Sequence, residues 1–223
     1  MPNWSTSIIK ICGSQASITA FLNKARNVKK LGKVNSSEQF IEQVMKFNDY
    51  ECGLSSWRKC PNTFNKWDTT NSMRQRDAID YETNKPMFNS DEEYEQYCKG
   101  YKNAVKYQKR KYGIVGWYDY HCHIWGTKWD AAVEFCSVIV LDNEKFELVL
   151  RTETAWSAPY RWLDYIKQQF PDLDIVISSV NEGDPSERII YDFQTGEETV
   201  EVDEEIRRWL MGQDEPNEIP LAE

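Results

Sequence analysis

The sequence predicts an α+β fold, with an antiparallel sheet and a large, mainly helical insertion after the first helix. Runs of alternating apolar residues, typical of half-buried strands, occur near the N-terminus, within residues 132–155 and after residue 172. Two segments with apolar residues three and four positions apart, typical of amphipathic helices, lie between these runs. With the insertion set aside, the order of elements is strand, helix, strand, strand, helix and strand.

The first strand and the first helix are predicted from the N-terminal residues. Residues 4–13 alternate, with Ile9 and Ile11 on one face of a strand. Ser14 has the position of an N-cap, because a serine hydroxyl can accept a hydrogen bond from a backbone N–H of the first helical turn. The helix predicted over residues 15–27 buries the apolar residues that recur at helical spacing, which are Ile18, Phe21, Leu22 and Ala25.

Residues 28–113 are predicted to form the insertion. Ser36 and Gln39 have the spacing of a capping box in front of a helix over residues 37–48. Residues 49–89 then show no periodicity but carry scattered aromatic residues. This composition indicates an irregular segment anchored by aromatic side chains, because flexible linkers seldom contain such residues.

The clearest helix in the sequence runs from Ser90, as its N-cap, to a stop at Gly113. It begins with three acidic residues and ends with three basic ones, as the helix dipole favours. Tyr97 and Tyr101 lie on one face of this helix. A basic, tyrosine-rich face can contact nucleic acid, but the charge distribution is also that of an ordinary surface helix, which the pattern favours.

A hairpin, a second helix and a fourth strand complete the predicted sheet. Residues 132–155 alternate as two strands joined by a turn at Asp142-Asn143. On the first of these strands one face is predicted to carry Val133, Phe135, Ser137 and Ile139. Ser157 is predicted to cap a helix that Pro171 ends, and a strand follows within residues 173–184.

The order of elements, βαββαβ, is that of a ferredoxin-like split βαβ fold. Residues 1–27 and 114–200 are predicted to form this core, with one further strand over residues 187–193. Residues 201–223 are predicted to form an acidic C-terminal tail with a short helix around Trp209. The tail has eight acidic and two basic residues, which gives it a net charge of −6.

The composition excludes several classes of protein. The chain has a net charge of −9, and because general nucleic-acid binding depends on Lys and Arg neutralising phosphates, direct nucleic-acid binding is disfavoured. No segment has the length and apolarity of a membrane span, and the N-terminus lacks the pattern of a signal peptide. We therefore expect a cytoplasmic protein whose six cysteines are reduced.

Three segments are similar to a known family. They are "MPNW", "GWYDYHCHIWGTKWDAA" and "TAWSAPYRWLDYIKQQFPDLDIVISSVNEGD", and together they resemble the YubB-type ferredoxin-like domain of bacteriophages, prophages and plasmids. The resemblance covers about the first 25 residues and most of residues 114–200. It implies the ferredoxin-like core and a mobile element in the cytoplasm of a bacterial host, but no particular activity. Ser5 and Ala158 depart from the family pattern, which usually has Cys and Pro there.

The two histidines suggest a metal site, which the rest of the sequence does not support. If their segment were a strand, His121 and His123 would share a face, as the ligands of some metal sites do. Asp119 and Cys122 are further possible ligands, but the sequence contains no other histidine and no recognisable catalytic motif. We therefore predict no catalytic residue, metal or cofactor. An enzymatic role, as a metal-dependent hydrolase, stays open as an alternative.

A second alternative is a single-stranded nucleic-acid binder. RNA-recognition modules share the βαββαβ topology and stack bases on exposed aromatic residues of the sheet. The candidates for such stacking are Trp4, Phe135 and Phe146. The basic and aromatic sequence pattern of those modules is missing, and aromatic residues of a sheet more often belong to the core.

The segment "WGTKWD", residues 125–130, has both a structural and a functional interpretation. Gly126 permits a tight turn, across which flanking tryptophans can pack with the Lys128 stem on an indole. The same residue types can instead line a ligand pocket, with Lys128 and Asp130 as polar anchors. The candidate binding residues of the chain are Trp125, Lys128, Trp129, Asp130, Trp156, Trp57, Trp67, Tyr97 and Tyr101.

Together these observations favour a non-enzymatic accessory protein of a phage or mobile element. We expect it to bind and inhibit a host protein or ribonucleoprotein of a nucleic-acid-targeting defence system, as anti-CRISPR proteins do. The resemblance implies the mobile-element setting. In addition, an acidic, aromatic-rich surface is suited to occupying a basic nucleic-acid channel.

Overall fold

A computed structural model describes residues 3–25, 30–34, 36–46, 52–66, 73–80, 82–141 and 145–203. The chain divides into two compact units. The first unit comprises Met1–Arg58 and Trp125–Glu223, and the second comprises Lys59–Ile124. The second unit therefore begins and ends later in the chain than the predicted insertion, residues 28–113.

Three predictions concern residues outside the described ranges. They are the binding role of Trp67, the turn at Asp142-Asn143 and the helix around Trp209 in the tail.

The described residues contain seven helices and eight strands. The helices are α1 (Gln15–Lys24), α2 (Ser37–Met45), α3 (Leu54–Trp57), α4 (Asn62–Lys66), α5 (Asp91–Tyr112), α6 (Trp117–Ile124) and α7 (Tyr160–Gln169). The strands are β1 (Trp4–Ser14), β2 (Ile79–Asp80), β3 (Lys85–Pro86), β4 (Val133–Val140), β5 (Lys145–Ala155), β6 (Asp174–Asn181), β7 (Asp184–Asp192) and β8 (Glu198–Val202).

Six strands of the first unit form one sheet, in the order β4-β5-β1-β6-β7-β8. Every neighbouring pair is antiparallel. The central strand, β1, pairs along most of its length with β5 on one side and β6 on the other. The prediction of an α+β fold with an antiparallel sheet is therefore confirmed.

One face of this sheet is covered by α1, α2 and α7 and forms the core of the first unit. As predicted, Ile9 and Ile11 of β1 point into it and are fully buried. The same core contains the buried residues Phe146, Leu148, Leu150, Ile175 and Ile177 of the sheet and Ile18, Phe21, Leu22, Phe40, Val44, Trp162, Leu163 and Ile166 of the helices. Because burial of one large apolar side chain stabilises by about 1.5–3 kcal/mol, this face provides most of the unit's stability.

The predicted helix ends are present. Ser14, Ser36 and Ser90 each accept a hydrogen bond from the backbone N–H three residues later, at 3.1, 3.3 and 3.2 Å. Gly113 ends α5 in the left-handed region, with φ of 71°. These caps follow from local chemistry, since each satisfies a backbone group that the helix leaves unpaired.

β4 contains a bulge that the alternation did not indicate. Its register with β5 shifts between Phe135 and Ser137, which leaves Cys136 as the extra residue. Because a bulge moves the following side chains to the opposite face, Val138 is buried and Ile139 is 47% exposed. The prediction that Ile139 shares a face with Phe135 is therefore wrong.

The other face of the sheet, here called the open face, carries exposed residues of β1 that include Trp4, Ile8 and Lys10. Its basic side chains lie next to acidic ones. The ion pairs are Lys10–Glu147 at 3.5 Å, Arg151–Glu153 at 2.6 Å and Arg188–Glu201 at 3.8 Å. The open face is therefore charged but not a basic surface.

The second unit is built around α5. Gln108 of this helix is fully buried, donates from Nε2 to the Thr63 carbonyl at 3.1 Å, and accepts at Oε1 from the Gly116 N–H at 3.1 Å. Phe64 of α4 packs on Tyr120 of α6 with ring centroids 4.3 Å apart.

The segment predicted to be irregular, residues 49–89, contains the two short helices α3 and α4 and the hairpin of β2 and β3.

Three local predictions need correction. Residues 117–124, considered as a strand in the metal hypothesis, form helix α6. Ser157 does not cap α7, whose N-cap is Pro159, because its hydroxyl donates to the Gly126 carbonyl instead. Residues 201–202, assigned to the tail, belong to β8, which extends the sheet beyond the predicted strands.

Within the described ranges, no helix is both long and apolar enough to cross a membrane.

Candidate binding site: the indole cluster

Three exposed tryptophans and a lysine lie together at one end of the sheet. Trp4, Trp129 and Trp156 are 42%, 37% and 45% exposed, although tryptophan is usually well buried. The Trp4 and Trp129 ring centroids are 6.1 Å apart. Lys128 Nζ lies 4.6 Å from the centroid of Trp129 and 4.7 Å from that of Trp156. We call these four residues the indole cluster.

Hydrogen bonds between three distant chain segments hold this end of the sheet together. The Trp156 N–H donates to the Asn3 carbonyl at 2.8 Å, and the Trp156 carbonyl accepts from Asn181 Nδ2 at 2.9 Å. The Trp4 N–H donates to Glu182 Oε2 at 2.9 Å, and the Glu182 N–H donates to the Trp4 carbonyl at 2.7 Å. Residues 3–4, 156 and 181–182 therefore meet at one place.

The turn that carries Lys128 and Trp129 is closed by its own small residues. Gly126 has φ of 82°, a conformation that favours glycine, and a Cβ at this position would make a tight contact, 3.3 Å from the backbone nitrogen of Arg161. The buried hydroxyl of Thr127 donates to the Trp129 carbonyl at 2.7 Å. This turn projects Lys128 and Trp129 from the end of the sheet.

Trp156 has a strained backbone conformation. Its φ is 78°, in the left-handed region that residues with a Cβ rarely adopt. Such a conformation costs roughly 1–2 kcal/mol and persists only where its surroundings enforce it. Here the hydrogen bonds to Asn3 and Asn181 do so, and the result is an indole directed into solvent next to Lys128.

We expect Trp156→Gly to be more stable than Trp156→Ala by about 1 kcal/mol, although glycine is normally the less stable of the two by roughly 0.5–1 kcal/mol. Both variants remove the indole, so the comparison isolates the backbone strain. Denaturant unfolding of the two variants measures the difference. A more stable alanine variant would show that Trp156 is not strained in solution.

Two of the predicted binding residues lie in the core. Trp57 and Trp125 are each 2% exposed. The indole N–H of Trp57 donates to the Phe21 carbonyl at 3.0 Å, and that of Trp125 donates to the Arg58 carbonyl at 2.9 Å. Their side chains therefore stabilise the first unit and offer no surface to a partner.

Asp130 lies beside the cluster but has a structural role. Its Oδ1 accepts from the Ser55 N–H and the Ala131 N–H, both at 3.0 Å. These bonds connect the turn to α3. Asp130 is thus the polar anchor of the turn, and its Oδ1 is used by backbone N–H groups of Ser55 and Ala131.

Tyr97 and Tyr101 lie in the second unit, on α5. Their rings are 6.1 Å apart, and Tyr97 also packs on Phe88 at 5.0 Å. Both tyrosines are half-buried in this row of aromatic rings. They form part of the surface of the second unit.

Trp4 belongs to the cluster but is not among the candidate binding residues that the sequence predicts. The sequence indicates only a base-stacking role for it, together with Phe135 and Phe146. Those two are 2% and 1% exposed on the covered face, so they cannot stack bases. The motif "MPNW" draws attention to Trp4, but no local sequence pattern shows that Trp4 lies next to a turn more than 120 residues later in the chain.

The groups considered for catalysis are not assembled into a site. His121 and His123 lie two positions apart on α6, where side chains at that spacing point to nearly opposite sides. The described residues contain no group of three or more His, Cys, Asp or Glu side chains suited to a metal ion. Burial, and then the Glu147 carboxylate, raise the pKa of Cys12 to about 11, which keeps this thiol protonated.

Comparisons with known proteins show little. No family model and no curated protein matches the chain. A crystal structure of the protein api92 from Yersinia pseudotuberculosis, described with the family model DUF1281, is 10% identical and has a TM-score of 0.36, over 91% of this chain and 98% of that one.

Proposed function

We propose that this chain is a phage or mobile-element accessory protein that binds and inhibits a host component of nucleic-acid-targeting defence, and that the indole cluster is its contact surface. The observation that carries this proposal is the exposure of three indoles on one rigid end of a sheet. Leaving them in water is unfavourable for the isolated protein. Their removal from water by a partner would contribute to binding.

The composition of the cluster is that of an interface centre. Tryptophan is enriched among the few residues that contribute most of the binding energy in protein interfaces. The backbone of Trp4 and Trp156 is held by hydrogen bonds to Asn3, Asn181 and Glu182. Because this backbone is already ordered, its ordering costs no conformational entropy when a partner docks.

The charge of the chain supports a basic partner. The net charge of −9 favours encounter with a positively charged surface, such as a channel that binds nucleic acid. The same charge opposes direct phosphate binding. On the open face the basic side chains of Lys10, Arg151 and Arg188 are already paired with carboxylates.

We also propose that β1, α1, β4, β5, α7 and β6 form a ferredoxin-like split βαβ core. In chain order these strands are first, second, third and fourth, and their order in the sheet is second, third, first and fourth. That antiparallel arrangement supports the assignment. β7 and β8 would then be an extension at one edge, and the second unit an insertion between α1 and β4.

The test is capture of partners from bacterial lysate by the tagged full chain, at low and moderate salt, with Trp129→Ala as the variant. We expect a stoichiometric partner, identified by mass spectrometry as a component of a nucleic-acid-targeting complex. Trp129→Ala should weaken its binding by about 30-fold, the loss expected for one interface hot spot. Tyr107→Ala removes a comparably exposed aromatic residue of the second unit, 39% exposed, and should bind like the wild type.

Two results would contradict the proposal. One is the absence of any stoichiometric partner at either salt concentration. The other is a partner that Trp129→Ala and the wild type bind equally well, which would exclude the indole cluster as the contact.

A second candidate function is single-stranded nucleic-acid binding, favoured by the position of Trp4 on the open face next to Trp129. It predicts salt-sensitive binding of oligonucleotides that shifts the indole N–H signals of these two residues in NMR spectra. Unchanged signals on titration would remove this candidate.

A further inference from the structure

We infer that the indole cluster is a cation-binding site that its own Lys128 now occupies, and that it takes a basic side chain of a protein partner in place of the Lys128 ammonium. This inference rests on the proposed function, whose ligand chemistry it specifies. The ligand is an ammonium or guanidinium group.

The geometry around Lys128 is that of an aromatic cation site. Its Nζ lies 4.6 Å and 4.7 Å from the ring centroids of Trp129 and Trp156, within the roughly 6 Å over which a cation is attracted to an indole face. Trp4 continues the aromatic surface beyond Trp129, at 6.1 Å. The cluster therefore already holds one cation between two indoles.

Hydrogen bonds fix the backbone that carries the two indoles. Trp129 accepts a hydrogen bond from Thr127 at its carbonyl, and Trp156 is bound at both its N–H and its carbonyl. Lys128, in contrast, reaches the site on a flexible side chain with four rotatable bonds. A competing cation can therefore displace the Lys128 ammonium without rearranging the backbone around the site.

The surrounding charge favours a cation over an anion. The Glu182 carboxylate lies at the edge of the cluster, with Oε2 2.9 Å from the Trp4 nitrogen. The chain as a whole carries a net charge of −9. A basic side chain of a partner would meet two indole faces on a chain of net negative charge, and indole faces attract the ammonium of lysine and the guanidinium of arginine.

The test is an NMR titration of the full-length Lys128→Met variant with tetramethylammonium chloride. Methionine keeps an apolar side chain of similar length and removes the resident charge. We expect the variant to bind this cation at least about fivefold more tightly than the wild type, with the indole N–H signals of Trp129 and Trp156 shifting together. Arginine amide should shift the same signals, whereas tert-butanol, a neutral molecule of the same shape as the cation, should not.

Matched variants separate the site from general effects. Lys10→Met removes an exposed lysine elsewhere on the sheet and should leave cation binding at the wild-type level. Lys128→Met combined with Trp129→Ala removes one indole of the site and should lose the gained affinity. In the wild type, the Lys128 methylene protons should be shifted upfield by the two indole rings.

The inference would be overturned by any of three results. These are equal affinity of the wild type and Lys128→Met for the cation, equal binding of tert-butanol, and saturable binding of inorganic phosphate that depends on Lys128. Because these titrations use no partner, they can fail while Trp129→Ala still weakens partner binding, and the converse also holds. The failure of this inference and that of the proposed function are therefore distinguishable.

Discussion

Trp57→Ala is expected to lower the free energy of unfolding of the first unit by about 3–5 kcal/mol, the range for removing a buried aromatic side chain. Trp57 is 2% exposed and stacks on Phe21 with ring centroids 5.1 Å apart. It also packs edge-on against Trp162 at 5.6 Å, and its N–H donates to the Phe21 carbonyl. Alanine would leave a cavity among these rings and an unpaired carbonyl.

Denaturant unfolding of Trp57→Ala and Trp129→Ala tests this prediction by measuring the free energy of unfolding of each variant. Trp129→Ala is the matched control, because it truncates the same residue type where the side chain is 37% exposed. We expect its effect to be less than about 1 kcal/mol, the usual limit for an exposed cation–π contact. Similar losses in the two variants would mean that the indole cluster is part of the core and not a binding surface.

Gln108→Ala is expected to destabilise the second unit by about 2–4 kcal/mol. Its fully buried amide pairs with the Thr63 carbonyl and the Gly116 N–H, both at 3.1 Å. Without the amide, these backbone groups lose their partner away from water. A buried donor or acceptor left in this way costs more than the net contribution of an ordinary hydrogen bond.

Hydrogen exchange of α5 amides gives the measurement for this variant, because it reports the stability of the second unit separately from that of the first. Gln96→Ala, at an exposed position of the same helix, is the control and should leave exchange unchanged or slightly slower, since alanine favours helices. Equal exchange rates in Gln108→Ala and the wild type would exclude a stabilising role for the buried amide.

The sequence by itself determined the elements that depend on neighbouring residues. The alternation of β1, the serine caps at Ser14, Ser36 and Ser90, and the glycine stop of α5 were all predicted and are present. Each follows from the local geometry of the backbone and from the hydrogen bonds that a nearby side chain can make. Local patterns also identified the strands β4, β5 and β6.

Elements that depend on distant contacts were not determined in this way. The bulge at Cys136 breaks the alternation of β4, because it depends on pairing with β5. The histidine segment forms helix α6, although strand geometry had been considered for it. Ser157, placed where a cap is expected, instead bonds to Gly126 more than 30 residues earlier in the chain.

The tertiary structure also decided which tryptophans are buried and which meet solvent. Residue type alone cannot distinguish Trp57 and Trp125, each 2% exposed, from Trp129 and Trp156, which are 37% and 45% exposed. All of them lie in aromatic-rich segments. The difference arises because β1 pairs with β5 and β6, which brings residue 4, the turn at 126–129 and residue 156 to one end of the sheet. Long-range strand pairing therefore brought together the residues of the indole cluster, for which the local sequence left both a structural turn and a binding role open.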